Sequence, residues 1–220
     1  MGECVPRRLT LPAALELVRH PARGRDRLLL GLTGPPGAGK STVAARLEQA
    51  AAGAARAVAV VGMDGFHLDG DTLAARGLAS VKGAPETFDA DGFVALLRQL
   101  RTTPPEAVPV PGFDRAREQT VPAATNVAAA TELVIVEGNY LLLDGPWRPV
   151  RDVLDQVWFV DVPGDVRVPR LVARHVEHGR SRADAEEWVH RSDEANARLV
   201  AAARDRADAV LAVGEGDDAA

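Results

Sequence analysis

Residues 34–42 of this 220-residue chain, GPPGAGKST, match the phosphate-binding pattern G-x-x-x-x-G-K-[ST] at every position. The apolar run 28–33 precedes the loop and helix-forming residues 41–50 follow it, which predicts a strand-to-helix junction there. Glycines let successive N–H groups turn toward phosphate oxygens, and the helix N-terminus adds the positive end of its dipole. The alternative, a glycine-rich turn without a ligand, does not account for the complete match and the correct flanks.

Two side chains of this phosphate loop carry the chemistry expected of nucleoside triphosphate binding. Lys40 would reach the β- and γ-phosphates, and the Ser41 hydroxyl would ligate Mg²⁺. Backbone N–H groups around them would hold the remaining phosphate oxygens. The predicted nucleotide-binding residues are Gly34, Pro35, Gly37, Ala38, Gly39, Lys40, Ser41 and Thr42.

Two carboxylates follow later apolar runs that read as strands. Asp64 comes just after the run 57–62, and Glu137 comes directly after the run 133–136. In parallel sheets ligands bind at the carboxyl ends of the strands, so both acids are expected near the phosphate loop. Asp64 could accept the proton of an attacking hydroxyl, and Glu137 could hold Mg²⁺ directly or through water. The alternatives are a solvated turn aspartate and an acid that caps a turn.

Arginines recur on the helix predicted after the fourth strand. Arg167, Arg170 and Arg174 share one face at i, i+3 and i+7 spacing, and Arg180 and Arg182 follow a glycine. A converging guanidinium face can neutralise the charge on a transferring phosphoryl group. The alternative is an ordinary charged helix face, and Arg170 and Arg174 are the two candidates retained.

Other polar residues could contact an acceptor molecule. Arg115 and Arg117 could hold an anionic acceptor, or they could be solvated loop residues. His67 could form a hydrogen bond with an acceptor, or it could be a structural histidine. Asp193 and Asn196 on the last predicted helix could face the nucleotide, and no spacing decides their role.

The remaining pattern predicts a sheet of buried parallel strands covered by helices on both faces, because apolar strands alternate with helices. Residues 108–113 contain two prolines and read as an edge segment at best. We expect one domain, residues 1–220, with an N-terminal helix and connector at 1–27, a helical lid at 165–204 and an acidic tail at 214–220. The other predicted strands are 28–33, 57–62, 133–136, 157–162 and 209–213, and the other predicted helices are 41–50, 89–101 and 147–154.

Composition narrows the classes of protein. The net charge of −5 argues against a nucleic-acid partner, because a phosphate backbone requires a basic face. No apolar run reaches membrane-spanning length, so no membrane association is expected. The single cysteine, Cys4, excludes an internal disulfide and fits a reducing, cytoplasmic location. A homodimer is compatible with the sequence, which does not decide the oligomeric state.

The order and spacing of six segments resemble the phosphoribulokinase/uridine kinase/type I pantothenate kinase group. These segments are GPPGAGKST at 34–42, MDGFH at 63–67, KGAPETFD at 82–89, PGFDRAR at 111–117, VEGNY at 136–140 and DVRVPRLVAR at 165–174. Together they span most of the chain, and their combination is more specific than any one of them.

The resemblance implies an α/β P-loop NTPase fold, a three-layer sandwich with a central parallel sheet and a helical lid. It implies transfer of the γ-phosphate of ATP, with Mg²⁺, to a hydroxyl of a small molecule. Asp64 would be the catalytic base, and Lys40, Arg170 and Arg174 would act on the phosphates. Ser41 and Glu137 would hold the metal. The expected substrate-binding residues are Asp64, His67, Lys82, Phe113, Arg115, Arg117, Glu137 and Asn139.

Departures from the family pattern bear on the acceptor. Uridine kinases look to have Phe-Asp-His where this chain has Lys82-Gly83-Ala84, so the carboxylate that holds the ribose hydroxyls is missing. This stretch is closer to pantothenate kinases, whose extended terminal parts we expect this chain to lack. MDGFHLD and VEGNYLLLD are nearest to a branch labelled nucleoside/nucleotide kinase-like or fructose-transport kinase. We therefore expect a sugar or a pantothenate-like acid as acceptor, with a nucleoside as the alternative.

A nucleotide-dependent switch or regulatory NTPase is the alternative from another functional class. The sequence has no N-K-x-D guanine-reading motif. Glu137-Gly138-Asn139 stands where a switch protein would have a D-x-x-G motif. A kinase would consume ATP only with an acceptor, whereas a switch would not depend on one.

Overall fold

The computed structural model describes residues 5–20, 26–114 and 117–213. The predicted connector at 21–25 and the acidic tail at 214–220 lie outside the described residues, as does Arg115. The strands, numbered in chain order, are β1 (Arg7–Thr10), β2 (Leu28–Thr33), β3 (Val58–Gly62), β4 (Val108–Asp114), β5 (Gln119–Val127), β6 (Leu133–Glu137), β7 (Gln156–Asp161) and β8 (Ala209–Ala212).

Helices connect most of these strands, and many of them start at a residue suited to cap them. Thr10, Asp69, Asp89 and Ser181 each accept a backbone N–H at a helix N-terminus through their side-chain oxygens. The helices are α1 (Leu11–Arg19), α2 (Lys40–Gly53), α3 (Gly70–Ala75), α4 (Ala90–Arg101), α5 (Arg148–Val153), α6 (Gly164–Glu177), α7 (Arg182–Trp188) and α8 (Glu194–Ala202).

The central sheet has six parallel strands in the order β1-β8-β7-β2-β6-β3. The register of the sheet aligns the carboxyl ends of β2, β3 and β6. Glu137 at the end of β6 lies opposite Leu32 of β2 and Gly62 of β3. The phosphate loop follows β2, and Asp64 follows β3 in a short 3₁₀ turn. The three segments therefore meet at the carboxyl edge of the sheet, as predicted.

Alternate residues along the strands form two separate cores. Leu29 and Val134 point to the face covered by α4 and α5, whereas Leu30 and Ile135 point to the face covered by α1 and α2. This two-residue period is the geometry of a strand buried on both sides. The α/β fold with three layers is thus confirmed.

Three features were not predicted from the sequence. β1 precedes α1 and pairs with β8 at one edge of the sheet. β4 does not join the central sheet but pairs with β5 in an antiparallel hairpin. The late helical stretch is not continuous, because a π-helical turn, Val189–Asp193, separates α7 from α8.

Candidate active site

The phosphate loop has the backbone conformation that anion binding needs. Gly39 has φ of 79° and forms the N-cap of α2, so the chain turns through a left-handed residue directly into the helix. The N–H of Val43 then donates to the Gly39 carbonyl at 2.9 Å, which closes the first helical turn. The first N–H groups of α2 have no partner within the helix and can point at a ligand.

Lys40 is buried, and its ammonium is held inside the loop. Nζ donates to the carbonyl oxygens of Gly34 at 2.9 Å and Pro35 at 3.0 Å. Burial lowers the pKa of Lys40 from 10.5 to about 8, and the negative charges of Glu137 and Asp64 counter part of that shift. An ammonium held between a carbonyl-lined loop and two carboxylates is positioned to meet phosphate oxygens.

Ser41 and Glu137 form the oxygen-rich corner of the site. The Ser41 hydroxyl donates to the Glu137 carboxylate, with Oγ at 3.1 Å and 3.2 Å from its two oxygens. Hydroxyl and carboxylate oxygens suit Mg²⁺, which is usually held by one or two protein groups together with phosphate oxygens and waters. The described residues contain no cluster of three His, Cys, Asp or Glu that could hold a metal by itself.

A cleft of about 750 Å³ opens over the loop and collects most of the predicted side chains. Asp64 and Glu137 also border a smaller cavity of about 220 Å³ beside the β4–β5 hairpin. The predicted residues that line the larger cleft are Gly37, Gly39, Lys40, Ser41, Thr42, Asp64, His67, Lys82, Glu137, Asn139, Arg170 and Arg174.

His67 supports the turn that carries Asp64. Its Nδ1 lies 2.8 Å from the Asp64 carbonyl oxygen, and because a carbonyl only accepts, Nδ1 carries the proton. The ring packs between Phe88, at a centroid distance of 4.0 Å, and Phe113, at 4.5 Å. His67 thus has a structural role. Because it also borders the cleft, its hydrogen bond with an acceptor stays a prediction.

Helix α6 contacts the phosphate loop through Arg167. This buried side chain donates from Nη1 to the Pro36 carbonyl at 3.2 Å and from Nη2 to Glu194 Oε1 at 2.6 Å. It therefore ties α6 to the loop on one side and to α8 on the other. Arg170 and Arg174 lie on the same helix and border the cleft.

Some predicted residues lie elsewhere. Gly34, Pro35 and Ala38 belong to the loop but do not line either cavity. Phe113 lines the smaller cavity rather than the cleft. Arg117 lies outside both cavities, where its guanidinium is 3.3 Å from Asp114 and its side chain is 75% exposed.

The cleft also contains residues whose role the sequence left undecided or did not indicate. Asp193 and Asn196 line the cleft, and Asp193 lies at the end of the π-helical turn with its Oδ2 2.8 Å from His175 Nε2. The Asn196 amide donates to the Gly83 carbonyl at 3.3 Å, and Tyr140 donates to the same oxygen. No sequence spacing indicates a π turn, so these contacts had no signal in the pattern.

The comparison with known families identifies the chain. Residues 29–220 match the model of the Phosphoribulokinase / Uridine kinase family. The chain belongs to this family. An Escherichia coli K12 relative, the uncharacterized protein YggC, is 36% identical over 195 residues, which are 87% of this chain and 78% of the relative. A uridine kinase of Leuconostoc citreum is 30% identical over 160 residues, covering 72% and 73% of the two chains.

Solved structures of similar proteins agree with this assignment. The crystal structure described as a "putative fructose transport system kinase" from Silicibacter sp. TM1040 is 39% identical, with a TM-score of 0.81, and the match covers 94% of this chain and all of the other. Phosphoribulokinase from Rhodobacter spheroides is 13% identical, with a TM-score of 0.54, and covers 75% of this chain and 65% of that one, so it supports the fold alone.

Family membership has direct consequences for activity. Members of the phosphoribulokinase/uridine kinase family are P-loop kinases, so this chain is a phosphotransferase that acts on a hydroxyl-bearing small molecule. Kinases of this type generally use ATP with Mg²⁺. Among the described residues, no helix is both long and apolar enough to cross a bilayer.

Proposed function

We propose that this protein transfers the γ-phosphate of ATP, in the presence of Mg²⁺, to a hydroxyl of a small polar metabolite such as a sugar or a pantothenate-like acid. The observation that carries the proposal is the position of Asp64. Its carboxylate borders the same cleft as Lys40 and is close enough for its charge to raise the pKa of that ammonium. The proposed base thus borders the cleft in which the terminal phosphate would lie.

In the proposed reaction the acceptor hydroxyl gives its proton to the Asp64 carboxylate. The oxygen of the acceptor hydroxyl bonds to the γ-phosphorus. At the same time the bond from that phosphorus to the β,γ-bridging oxygen breaks, and ADP leaves. Lys40, Arg170 and Arg174 would counter the negative charge on the phosphates.

Ser41 and Glu137 would hold Mg²⁺, which supplies charge neutralisation on the phosphate oxygens when it is bound. Their oxygens already face each other at 3.1 Å to 3.2 Å, so little rearrangement is needed to bring both to one ion. Closing the lid would exclude water, so that the acceptor reacts in place of hydrolysis.

A nucleoside kinase is the alternative within the same class, and the uridine kinases among the relatives support it. Against it, Lys82-Gly83-Ala84 provides no carboxylate for ribose hydroxyls at the position where uridine kinases look to have one. A nucleotide-dependent switch or regulatory NTPase is disfavoured by the family assignment. Measuring ATP consumption with and without acceptors separates it from a kinase, because only a kinase depends on an acceptor.

The variant Asp64→Asn tests the proposal directly. We expect acceptor-dependent ATP turnover to fall by roughly 10²- to 10⁴-fold, the usual contribution of a general base, while the Kd for ATP stays nearly unchanged. Asp71→Asn, which changes an exposed acid on α3, is the matched control and should behave like the wild type. Wild-type turnover in Asp64→Asn would remove this residue from the mechanism.

A further inference from the structure

Most of the lysine and arginine side chains that line the cleft lie at the end formed by the phosphate loop and α6. Four basic side chains among the described residues line it: Lys40, Lys82, Arg170 and Arg174. Lys40 belongs to the phosphate loop, and Arg170 and Arg174 lie on α6, which packs against that loop. The fourth of these side chains, Lys82, lines the cleft together with His67 and Phe88, away from the phosphate loop. We call this part of the cleft the acceptor end.

Lys82 is already paired with a residue that the sequence did not indicate. Its Nζ lies 3.0 Å from Glu118 Oε2 and 3.2 Å from the Glu118 carbonyl oxygen. Glu118 precedes β5 in the hairpin and has a left-handed backbone with φ of 51°. The Lys82 ammonium lowers the pKa of the Glu118 carboxyl through their hydrogen bond, so the acid is ionised at neutral pH. The Lys82 charge is therefore paired with an acid of the protein itself, and Arg180 also acts electrostatically on that acid.

The other polar groups on this side suit hydroxyl groups better than an anion. Asp64 and Asp193 present carboxylates to the cleft, and Asn139 and Asn196 also line it. Carboxylates and amides accept or donate hydrogen bonds to hydroxyls, whereas carboxylates repel a negatively charged acceptor.

Two aromatic rings lie near Lys82 and His67, and they differ in their exposure. Phe88 is 7% exposed and packs against His67, Tyr140 and Trp147. The Phe113 ring has His67 at 4.5 Å and the Lys82 ammonium at 5.6 Å from its centroid. Stacking a nucleobase requires an accessible aromatic face. Phe88 does not provide one, and the partly exposed Phe113 ring lines the smaller cavity and not the cleft.

We propose that the acceptor is a neutral polyhydroxylated compound, a sugar or polyol, and that Glu118 is a specificity-determining residue that neutralises Lys82 and so disfavours anionic acceptors. This inference rests on the proposed kinase function and narrows its acceptor class. Removing the Glu118 charge would leave Lys82 able to bind a carboxylate from the acceptor.

The experiment measures ADP release and phosphorylated product with ATP, Mg²⁺ and three sets of compounds. The neutral set contains D-fructose, D-ribose and glycerol, the anionic set contains D-glycerate and pantothenate, and the nucleoside set contains uridine and cytidine. Wild type, Glu118→Gln and the control Glu16→Gln are compared. Glu16 is an exposed, ion-paired acid on α1, at the edge of the sheet away from the hairpin.

We expect product from at least one neutral compound and none from the nucleosides with the wild type. For the anionic compounds, Glu118→Gln should raise kcat/KM about tenfold, or should lower the Ki of an acid that does not react about tenfold. This is the effect expected for removing one charge near a partly exposed anion. Glu16→Gln should change neither. The double variant Lys82→Gln/Glu118→Gln should lose the gain, because the effect passes through the Lys82 charge.

The outcomes distinguish a failure of the acceptor inference from a failure of the proposed kinase function. Product from an acid or a nucleoside, with none from the neutral set, would overturn the neutral-acceptor inference and leave the kinase function standing. Unchanged acid binding in Glu118→Gln would overturn the role of Glu118. ATP hydrolysis that is the same with and without every compound, and yields no phosphorylated product, would overturn the proposed function itself.

Discussion

Replacing Gly37 with alanine tests whether α6 rests on the phosphate loop. A Cβ at this position would lie 2.7 Å from Leu171 Cγ and 2.8 Å from Arg167 Cγ, both on α6, and 3.0 Å from the Arg167 carbonyl oxygen. Gly37 also has φ of 77°, which alanine adopts only with strain. Gly77 has φ of 68°, and a Cβ added there would meet no atom within 4 Å, so it has the same strain without the contact.

The expected loss of unfolding free energy follows from the backbone strain and from the steric contact. Left-handed backbone costs alanine about 1–2 kcal/mol, and the lower entropy of the unfolded chain offsets about 0.4–1 kcal/mol of that. Forcing a methyl group into packed atoms adds about 1–3 kcal/mol for Gly37→Ala alone. The variant should therefore lose about 1–3 kcal/mol more unfolding free energy than Gly77→Ala. For a chain of this size each kcal/mol shifts Tm by about 2–4 °C.

Thermal unfolding and nucleotide binding together provide the assay. Gly37→Ala should have a Tm about 2–12 °C below that of Gly77→Ala, and its Kd for ATP should rise because α6 or the loop must move. Gly77→Ala should bind ATP like the wild type, since it lies away from the loop. Equal Tm values and equal ATP affinity for the two variants would contradict the contact between α6 and the phosphate loop.

Four further predictions concern charged groups of the site. Lys40→Ala should lower kcat by roughly 10²-fold or more in a steady-state kinase assay, and a wild-type rate would contradict the phosphate-loop assignment. The Kd for ATP should rise as pH increases above about 8, where Lys40 loses its proton, and Lys40→Met should remove that pH dependence in calorimetric titrations. Because the folded pKa lies below the unfolded value of 10.5, the unfolding free energy should itself rise between pH 8 and 10.5 through this group, which denaturant titrations can follow. Glu194→Gln should raise the KM for ATP several-fold and cost about 1–2 kcal/mol of stability, a value reduced because Glu194 is partly exposed. Glu187→Gln, which changes an exposed acid on α7, is the control and should change neither quantity.

The sequence predicted the parts of the site that depend on local chemistry and strand order. The phosphate loop needs glycine, lysine and serine at fixed positions, so residues 34–42 identify it directly. Asp64 and Glu137 follow apolar strands, and the ends of parallel strands meet at one edge of the sheet. The sequence alone therefore places these two acids beside the loop.

The parts that were not predicted depend on contacts between distant segments. β5 has mostly exposed or partly exposed residues, so it lacks the buried alternation that would mark a strand, and only its pairing with β4 defines it. Glu118 meets Lys82 across 36 positions of sequence because the hairpin folds back toward that loop. From its spacing, Arg167 was interpreted as one member of a charged helix face. Its hydrogen bonds to Pro36 and Glu194 depend on how α6 packs against the phosphate loop and α8.

The π-helical turn Val189–Asp193 has a consequence for the angular phase of α8. A π turn contains one more residue than an α-helical turn, and each residue of an α-helix advances the chain by about 100°. Deleting one residue from this turn would rotate every later side chain of α8 by about that angle. Glu194 would then face away from Arg167, and Asn196 would face away from Gly83. One extra residue thus sets the rotation that brings the last helix into contact with both α6 and the loop that contains Gly83.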